Sequence, residues 1–170
     1  MNIQQRYNWQ RLNKQQVGAF AEYFVKMELT MFGFQVYGTE VDDRGIDFVA
    51  RYEQGPFIEI QVKSLRSHGY VFLQKKKFPL KRNLYLALAL LDDSEPPKLY
   101  LIPSLAWEKQ DTLLVGRDYK GLKSKPEWGI NVSERNMVLL ESYRFERVVS
   151  PILGGMTDAV IRGDAQAPCR

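Results

Sequence analysis

Apolar side chains recur at three- and four-residue intervals near the beginning of the chain. They are Val17, Phe20, Ala21, Phe24, Met27 and Met31. This spacing predicts an amphipathic helix over residues 13–32. Asn13 can cap the N-terminus of this helix together with Gln16, and Gly33 can end it.

Runs that are alternately or continuously apolar follow the helix and predict β-strands. The predicted strands span residues 34–37, 46–52, 57–63, 84–91 and 98–102. The turn at 53–56 joins the second and third strands into a hairpin, and residues 68–72 are expected to extend this meander. The run at 84–91 is apolar throughout, which favours a central strand.

The second half of the chain has weaker patterns. We expect a short helix at 103–109, an irregular surface excursion at 111–127 and a last helix within 131–148. There are no internal repeats, so a single domain is predicted at 13–153, between an N-terminal arm (1–12) and a flexible C-terminal tail (154–170). The order of elements predicts an α/β fold, with the helix 13–32 across one face of a central mixed sheet of four or five strands.

Composition excludes several classes of protein. Of the 170 residues, 45% are hydrophobic and 26% charged, which excludes a disordered main body. The longest apolar run has eight residues, whereas a membrane helix needs roughly 20, so no membrane partner is expected. The N-terminus lacks the apolar core of a signal peptide, which favours a cytoplasmic protein.

The chain offers little material for histidine or cysteine chemistry. His68 is the only histidine and Cys169 the only cysteine. This excludes an intramolecular disulfide and a cysteine-based zinc cluster, and it leaves almost nothing for a Ser-His-Asp triad or a multi-histidine site. Carboxylates, amides and lysines remain as the candidates for chemistry.

Positive charge is concentrated in one part of the sequence. The net charge is only +4, but residues 63–82 carry seven basic and no acidic side chains. These are Lys63, Arg66, Lys75, Lys76, Lys77, Lys81 and Arg82. The segment can be a solvated edge that blunts aggregation, or it can contact phosphates. Tyr70, Phe72 and Phe78 lie among these residues and can stack on bases, although such aromatics are more often core contacts.

The predicted hairpin carries an unusual set of polar residues. On the strand 57–63, Glu59, Gln61 and Lys63 share one face, opposite the apolar residues. A half-exposed antiparallel strand would explain this alternation. However, Asp47 is disfavoured in a strand. It is expected opposite or nearly opposite Gln61, because the two positions are symmetric about the turn at residue 54.

A carboxylate, an amide oxygen and an ammonium group are therefore expected to meet on the hairpin. Hard cations such as Mg²⁺ prefer oxygen ligands, and a lysine beside them can orient or deprotonate a water. Glu22, one helical turn after Gly18, can add a second carboxylate. Taken alone, Glu22 would be interpreted as a solvent-facing helix residue.

Together these residues resemble the PD-(D/E)xK nuclease superfamily. The resemblance rests on Glu22 in the first helix, then Gly45-Ile46-Asp47, then Gln61-Val62-Lys63. It points to the Mrr-type branch, in which Gln replaces the third acid, and more distantly to archaeal Holliday-junction resolvases. It covers about residues 13–110. Ser64 continues a Gln-Val-Lys-Ser run seen in an uncharacterised bacterial branch, to which residues 99–104 and Trp107 are also similar.

The resemblance implies a restriction-endonuclease-like fold and a Mg²⁺-dependent deoxyribonuclease, an endonuclease in which Mn²⁺ can substitute. It implies metal ligation by Asp47, the Gln61 side chain, the Val62 carbonyl and Glu22, with Lys63 acting on the nucleophile and with Glu59 and Ser64 in supporting roles. DNA contacts are expected from Arg66, Lys75, Lys76, Lys77, Lys81 and Arg82. We also expect a homodimer or a higher homo-oligomer.

Two departures from the family pattern matter. Ile46 stands where the motif often has Pro, and Gln61 supplies a neutral oxygen where relatives supply a charge. The second change should weaken metal binding unless Glu59 or Glu22 compensates. Two alternatives therefore stay open: a catalytically inactive nucleic-acid-binding protein, and an interaction protein in which Asp47 and Lys63 form a structural ion pair.

Overall fold

The computed structural model describes residues 6–38 and 45–153, which form three layers. Helices cover one face of a five-stranded sheet, and a three-stranded sheet covers the other. The strands in chain order are β1 (Phe34–Gly38), β2 (Phe48–Tyr52), β3 (Ile58–Arg66), β4 (Gly69–Gln74), β5 (Leu84–Leu91), β6 (Lys98–Pro103), β7 (Leu114–Arg117) and β8 (Glu127–Val132).

The first helix, α1 (Lys14–Met31), has the predicted ends. The Asn13 side chain accepts a hydrogen bond from the backbone N–H of Gln16, and the Gln16 side chain returns one to Asn13. Gly33 follows the helix with a φ of +86°, a conformation that favours glycine at this position. The helix packs on β1 and β3.

The buried face of α1 differs from the predicted stripe. Val17 and Ala21 are buried as expected, followed by Val25 and Leu29, whereas Met27 and Met31 are exposed. The helix has apolar residues on more than one face, and the position of the sheet beneath it decides which face is buried.

The central sheet has the order β1-β2-β3-β5-β6. Strands β3 and β5 run parallel, and the other neighbours are antiparallel. This confirms the predicted mixed sheet, with five strands. Strand β5 contributes alternate residues to two apolar clusters, one against α1 and one against the small sheet. Its continuous apolar run follows from this burial on both faces.

The second sheet was not predicted. Its order is β4-β8-β7, all antiparallel. Residues 68–72 fall largely in a strand, β4, as expected, but this strand does not extend the meander, because it pairs with β8, more than fifty residues later. The expected excursion at 111–127 contains β7. The stretch 131–148, which was expected to contain the last helix, begins inside β8 and then holds the helix Met137–Leu140 and the start of the helix Phe145–Leu153. These strands are short and distant in sequence, so no local pattern connects them.

The remaining helical segments are short. Residues 104–108 form a 3₁₀ turn near the predicted short helix. After β8 come α2 (Met137–Leu140), flanked by two further 3₁₀ turns, and α3 (Phe145–Leu153), which packs on β6. None of the helices in the described ranges is long and apolar enough to cross a membrane.

Part of the stretch assigned to an N-terminal arm packs on the domain. Trp9 is buried in the cluster beneath α1, and its indole N–H donates to the carbonyl of Asp92 at 3.0 Å. The loop residues 39–44 and the C-terminal segment 154–170, which includes Cys169, lie outside the described residues.

Candidate active site

Asp47 lies where the β2–β3 hairpin opens. Its backbone N–H donates to the carbonyl of Ile60 at 2.9 Å, and its carboxylate accepts from the N–H of Val62 at 2.5 Å. The last paired residue of β2 is Phe48, opposite Ile60. Asp47 precedes it and bonds to both neighbours of Gln61 on β3, close to the position that the symmetry about residue 54 predicts. The Asp47 carboxylate thus accepts the hydrogen bond that a backbone carbonyl of a longer β2 would accept from the Val62 N–H.

Six of the thirteen predicted site residues line one cleft of about 700 Å³ beside this position. Those on the cleft wall are Glu22, Asp47, Val62, Lys63, Ser64 and Arg66. They come from α1, from the segment before β2 and from the second half of β3. The structure therefore brings together side chains from three separate stretches of sequence.

Helix α1 forms one wall of the cleft through residues spaced four apart. Lys14, Gly18 and Glu22 all line it, as a single face of a helix requires. A Cβ added to Gly18 would meet no atom within 4 Å, so this glycine leaves open space above Glu22. Lys14 was missed in the sequence, although counting back from Glu22 in steps of four would have found it.

Lys63 is half-buried in the cleft wall. Among the residues that the structure describes, no ion pair joins it to Asp47. The structural Asp–Lys pair considered from the sequence is therefore not formed. The ammonium group of Lys63 faces the same cleft as two carboxylates without being neutralised by either, which leaves its charge available to a ligand.

Gln61 is buried next to this cleft but does not line it. Its side chain is 7% exposed, and its amide oxygen has no hydrogen-bond partner within the described ranges. A Cβ added to Gly45 would lie 3.2 Å from both the Gln61 amide nitrogen and the Cβ of Lys77. Gly45, with a φ of +76°, thus permits the chain to pass closely over Gln61.

Three of the predicted supporting or DNA-contacting residues are engaged within the protein. Glu59 does not line the cleft, and its carboxylate pairs with the ammonium of Lys81 at 2.5 Å. Lys75 contacts Asp118 at 2.6 Å and lies 4.0 Å from the ring centroid of Trp128, and it lowers the pKa of the Asp118 carboxyl.

The other basic residues of the segment differ in exposure. The Arg66 guanidinium donates to the carbonyl of Leu12 while lining the cleft. Lys76, Lys77 and Arg82 are exposed. The segment 63–82 is therefore partly a set of internal contacts and partly a solvated surface.

The three aromatic residues of this segment have separate positions. Phe78 is fully buried against Trp107, which confirms that this residue is a core contact. Phe72 is exposed, and Tyr70 lines the cleft. Burial, followed by a hydrogen bond to Glu127, raises the pKa of Tyr70 to about 12, so its phenol keeps its proton at neutral pH. Nothing in the sequence indicated that Tyr70 reaches the cleft.

The oxygen atoms around the cleft suit a hard cation. Glu22 and Asp47 supply carboxylates, and the carbonyl of Val62 points to the same side of β3 as its N–H, toward Asp47. The unsatisfied oxygen of Gln61 adds a neutral donor nearby. In the described part of the chain, no group of three or more His, Cys, Asp or Glu residues is placed so that it could hold a metal ion. A few oxygen ligands of this kind fit Mg²⁺, which keeps several waters.

No protein-family model matches the chain, and no curated protein matches it at a significant level. Solved structures do. The bacterial homing endonuclease I-Ssp6803I is 15% identical, with a TM-score of 0.50 over 90% of this chain and 99% of that chain. A Holliday junction resolvase from the archaeal hyperthermophile Archaeoglobus fulgidus is 17% identical, with a TM-score of 0.45 over 72% of this chain and 88% of that chain.

At these identities the likeness shows the fold alone, and it is the homing endonuclease that carries this conclusion. The protein has the restriction-endonuclease-like fold, as the sequence motifs implied. The assignment to the Gln-x-Lys, Mrr-type branch stays a prediction.

Proposed function

We propose that this protein is a metal-dependent nuclease that hydrolyses phosphodiester bonds of DNA as an endonuclease. The observation that carries the proposal is the convergence of Glu22, Asp47 and Lys63 on one cleft. A pure binding protein has no need of two carboxylates beside an unneutralised lysine. The shared fold with a homing endonuclease supports DNA as the substrate.

Asp47, Glu22, the Val62 carbonyl and the Gln61 amide oxygen would hold Mg²⁺, with Mn²⁺ as a substitute. Such an ion, when bound, supplies positive charge for the phosphate and makes a water more acidic. The protein's own part is to orient Asp47, whose carboxylate is held by the Val62 N–H. This preorganisation reduces the cost of arranging ligands when the substrate enters.

Lys63 acts on the nucleophile or on the phosphate. Its Nζ can donate hydrogen bonds to a phosphate oxygen, or orient or deprotonate the attacking water. Gln61 cannot accept a proton in this way, so it is not the base. The placement of Glu59 in an ion pair with Lys81 leaves Lys63 as the acid–base group on β3 that lines the cleft.

The test is cleavage of supercoiled, linear and branched DNA with Mg²⁺ or Mn²⁺. Asp47→Asn keeps an oxygen acceptor for the Val62 N–H but removes the charge, so we expect a folded protein that neither cleaves nor gives a calorimetric signal with Mn²⁺. Lys63→Ala should still bind metal and DNA but cleave at least about a hundredfold more slowly. Lys109→Ala, at an exposed site outside the cleft, is the control.

Each outcome separates the remaining alternatives. DNA binding without cleavage of any substrate in the wild type would favour the inactive nucleic-acid-binding protein. Equal Mn²⁺ binding by wild type and Asp47→Asn would move the metal elsewhere. If Lys63→Ala cleaves as fast as wild type while Asp47→Asn is inactive, the role given to the lysine is wrong.

A further inference from the structure

The small sheet has an outer face that the proposed chemistry does not use. Along β4, Val71 and Leu73 point into the core, so Tyr70 and Phe72 lie on the opposite face. The Phe72 side chain is 55% exposed. Its partner on the neighbouring strand is Gly129, which has no side chain to cover the ring.

Tyr70 and Arg117 form a stacked pair on the same face. The Tyr70 ring lies across Gly129, since a Cβ at Gly129 would come within 2.0 Å of the phenol oxygen. The guanidinium of Arg117, on β7, lies 4.7 Å from the centroid of this ring and is exposed. Tyr70 thus lies against the β8 backbone at Gly129, and the exposed Arg117 guanidinium lies over its ring.

Glu127 fixes this arrangement. One of its carboxylate oxygens accepts the Tyr70 hydroxyl at 2.8 Å and the Tyr119 hydroxyl at 2.9 Å. The Arg117 guanidinium in turn donates to the Tyr119 oxygen at 3.5 Å. The acid is therefore occupied by two phenols, and the rings and the guanidinium are held in place before any ligand arrives, which reduces the ordering cost of binding.

This face is continuous with the cleft. Tyr70 lines the cleft together with Lys63 and Arg66. Phe72 stands two residues farther along β4, about 7 Å away. A nucleic-acid strand that leaves the cleft over Tyr70 would therefore meet an exposed aromatic ring and a planar cation within one or two nucleotides.

We propose that Phe72 and Arg117, the latter supported by Tyr70, bind an unpaired nucleotide by stacking on its base, so that the protein acts on DNA with single-stranded or unpaired bases beside the cleavage site. This proposal rests on the nuclease function proposed above. In a duplex each base face is covered by its neighbours, whereas an unpaired base can stack on an aromatic ring or a guanidinium plane. The charge of Arg117 also attracts the phosphate.

The test measures binding without cleavage, by fluorescence anisotropy in EDTA, of a short labelled single-stranded oligonucleotide and of its duplex. Phe72→Leu keeps an apolar, exposed side chain but removes the π face. It should weaken single-strand binding at least about fivefold and leave duplex binding unchanged. Phe72→Trp should retain the wild-type affinity for the single strand. Phe57→Leu, at a second half-exposed phenylalanine outside the cleft, is the matched control and should bind like wild type.

The outcomes distinguish this proposal from the nuclease function. Equal single-strand affinity in wild type and Phe72→Leu overturns the stacking site, whether or not the protein cleaves DNA. An equal loss of single-strand and duplex binding also overturns it, because stacking on unpaired bases predicts a selective loss. If Phe72→Leu selectively loses single-strand binding while the wild-type protein cleaves no DNA, the stacking site stands and the nuclease function is wrong.

Discussion

At the scale of single residues, the buried amide of Gln61 connects the fold to the proposed metal. Its oxygen has no hydrogen-bond partner in the described ranges, and leaving a buried acceptor unsatisfied costs about 1–3 kcal/mol. Such a group persists where a ligand or water completes it. Because Asp47 bonds to the β3 residues on either side of Gln61, a cation held by Asp47 would offset this cost.

We expect Gln61→Glu to be less stable than wild type without metal and more strongly stabilised with it. The substitution buries a charge, which should cost at least about 1 kcal/mol in the free energy of unfolding. A carboxylate also binds a cation more tightly than an amide, and each tenfold gain in affinity adds about 1.4 kcal/mol at saturation. Thermal unfolding with and without Mn²⁺ measures both effects.

Gln54→Glu makes the same change at the exposed hairpin turn. It should neither lower the stability of the metal-free protein nor change how strongly Mn²⁺ stabilises it. If Mn²⁺ stabilised Gln61→Glu and wild type equally, Gln61 would not be a ligand, and its unsatisfied oxygen would have to be completed by water.

At the scale of elements, α1 contributes to stability and to the cleft through the same face. Gly18 lies inside the helix, where glycine costs about 0.8–1.0 kcal/mol relative to alanine. No neighbour within 4 Å of an added Cβ requires the glycine. Internal packing therefore does not explain this residue, and we propose that it keeps Glu22 accessible to a substrate.

Gly18→Ala is expected to raise the free energy of unfolding by up to about 1 kcal/mol and to slow DNA cleavage, because the methyl group enters the cleft. Urea denaturation and the cleavage rate measure the two effects. Ala19→Gly, at the adjacent exposed position, should lower stability by a similar amount and leave cleavage unchanged. Cleavage by Gly18→Ala at the wild-type rate would show that the substrate does not use this space.

The elements that could be predicted from the sequence are those with local signals. Helix α1 has its capping box and terminal glycine, and β5 is apolar at every position because both of its faces are buried. Strands β4, β7 and β8 pair across long separations in sequence, and each is only four to six residues long. The strand character of residues 68–72 was expected, but nothing local identifies their partner, and β7 and β8 carry no periodicity that distinguishes them from loops.

The residues of the candidate site likewise divide into those that the sequence predicted and those that it did not. Hairpin periodicity brought Asp47 and Lys63 together, and the resemblance to a nuclease motif added Glu22, all of which line the cleft. Tyr70 reaches the cleft only through the pairing of β4 with β8, which no local pattern shows. The ion pair of Glu59 with Lys81 depends on the neighbouring parallel strand β5 and the segment before it. It could therefore not be predicted from the sequence either.

At the scale of the whole molecule, the fold separates basic residues that the sequence placed together. Lys75 and Lys81 are neutralised by Asp118 and Glu59. Lys76 and Lys77 are exposed. A lysine that already has a carboxylate partner releases fewer counterions when DNA binds, so the number of basic residues overstates the number of phosphate contacts.

We therefore expect the salt dependence of DNA binding to come from Lys76 and Lys77 and not from Lys75. The double substitution Lys76→Gln, Lys77→Gln should reduce the slope of log affinity against log salt by up to about 1.8, since each phosphate contact to duplex DNA contributes about 0.9. Lys75→Gln removes the same charge but should leave the slope unchanged, while it lowers thermal stability by breaking the contacts with Asp118 and Trp128. Titrations of one duplex at several salt concentrations measure this slope for wild type, the double variant and Lys75→Gln.

An unchanged slope in the double variant would identify this exposed pair as a solvated edge. A reduced slope in Lys75→Gln would mean that DNA displaces Asp118 from Lys75.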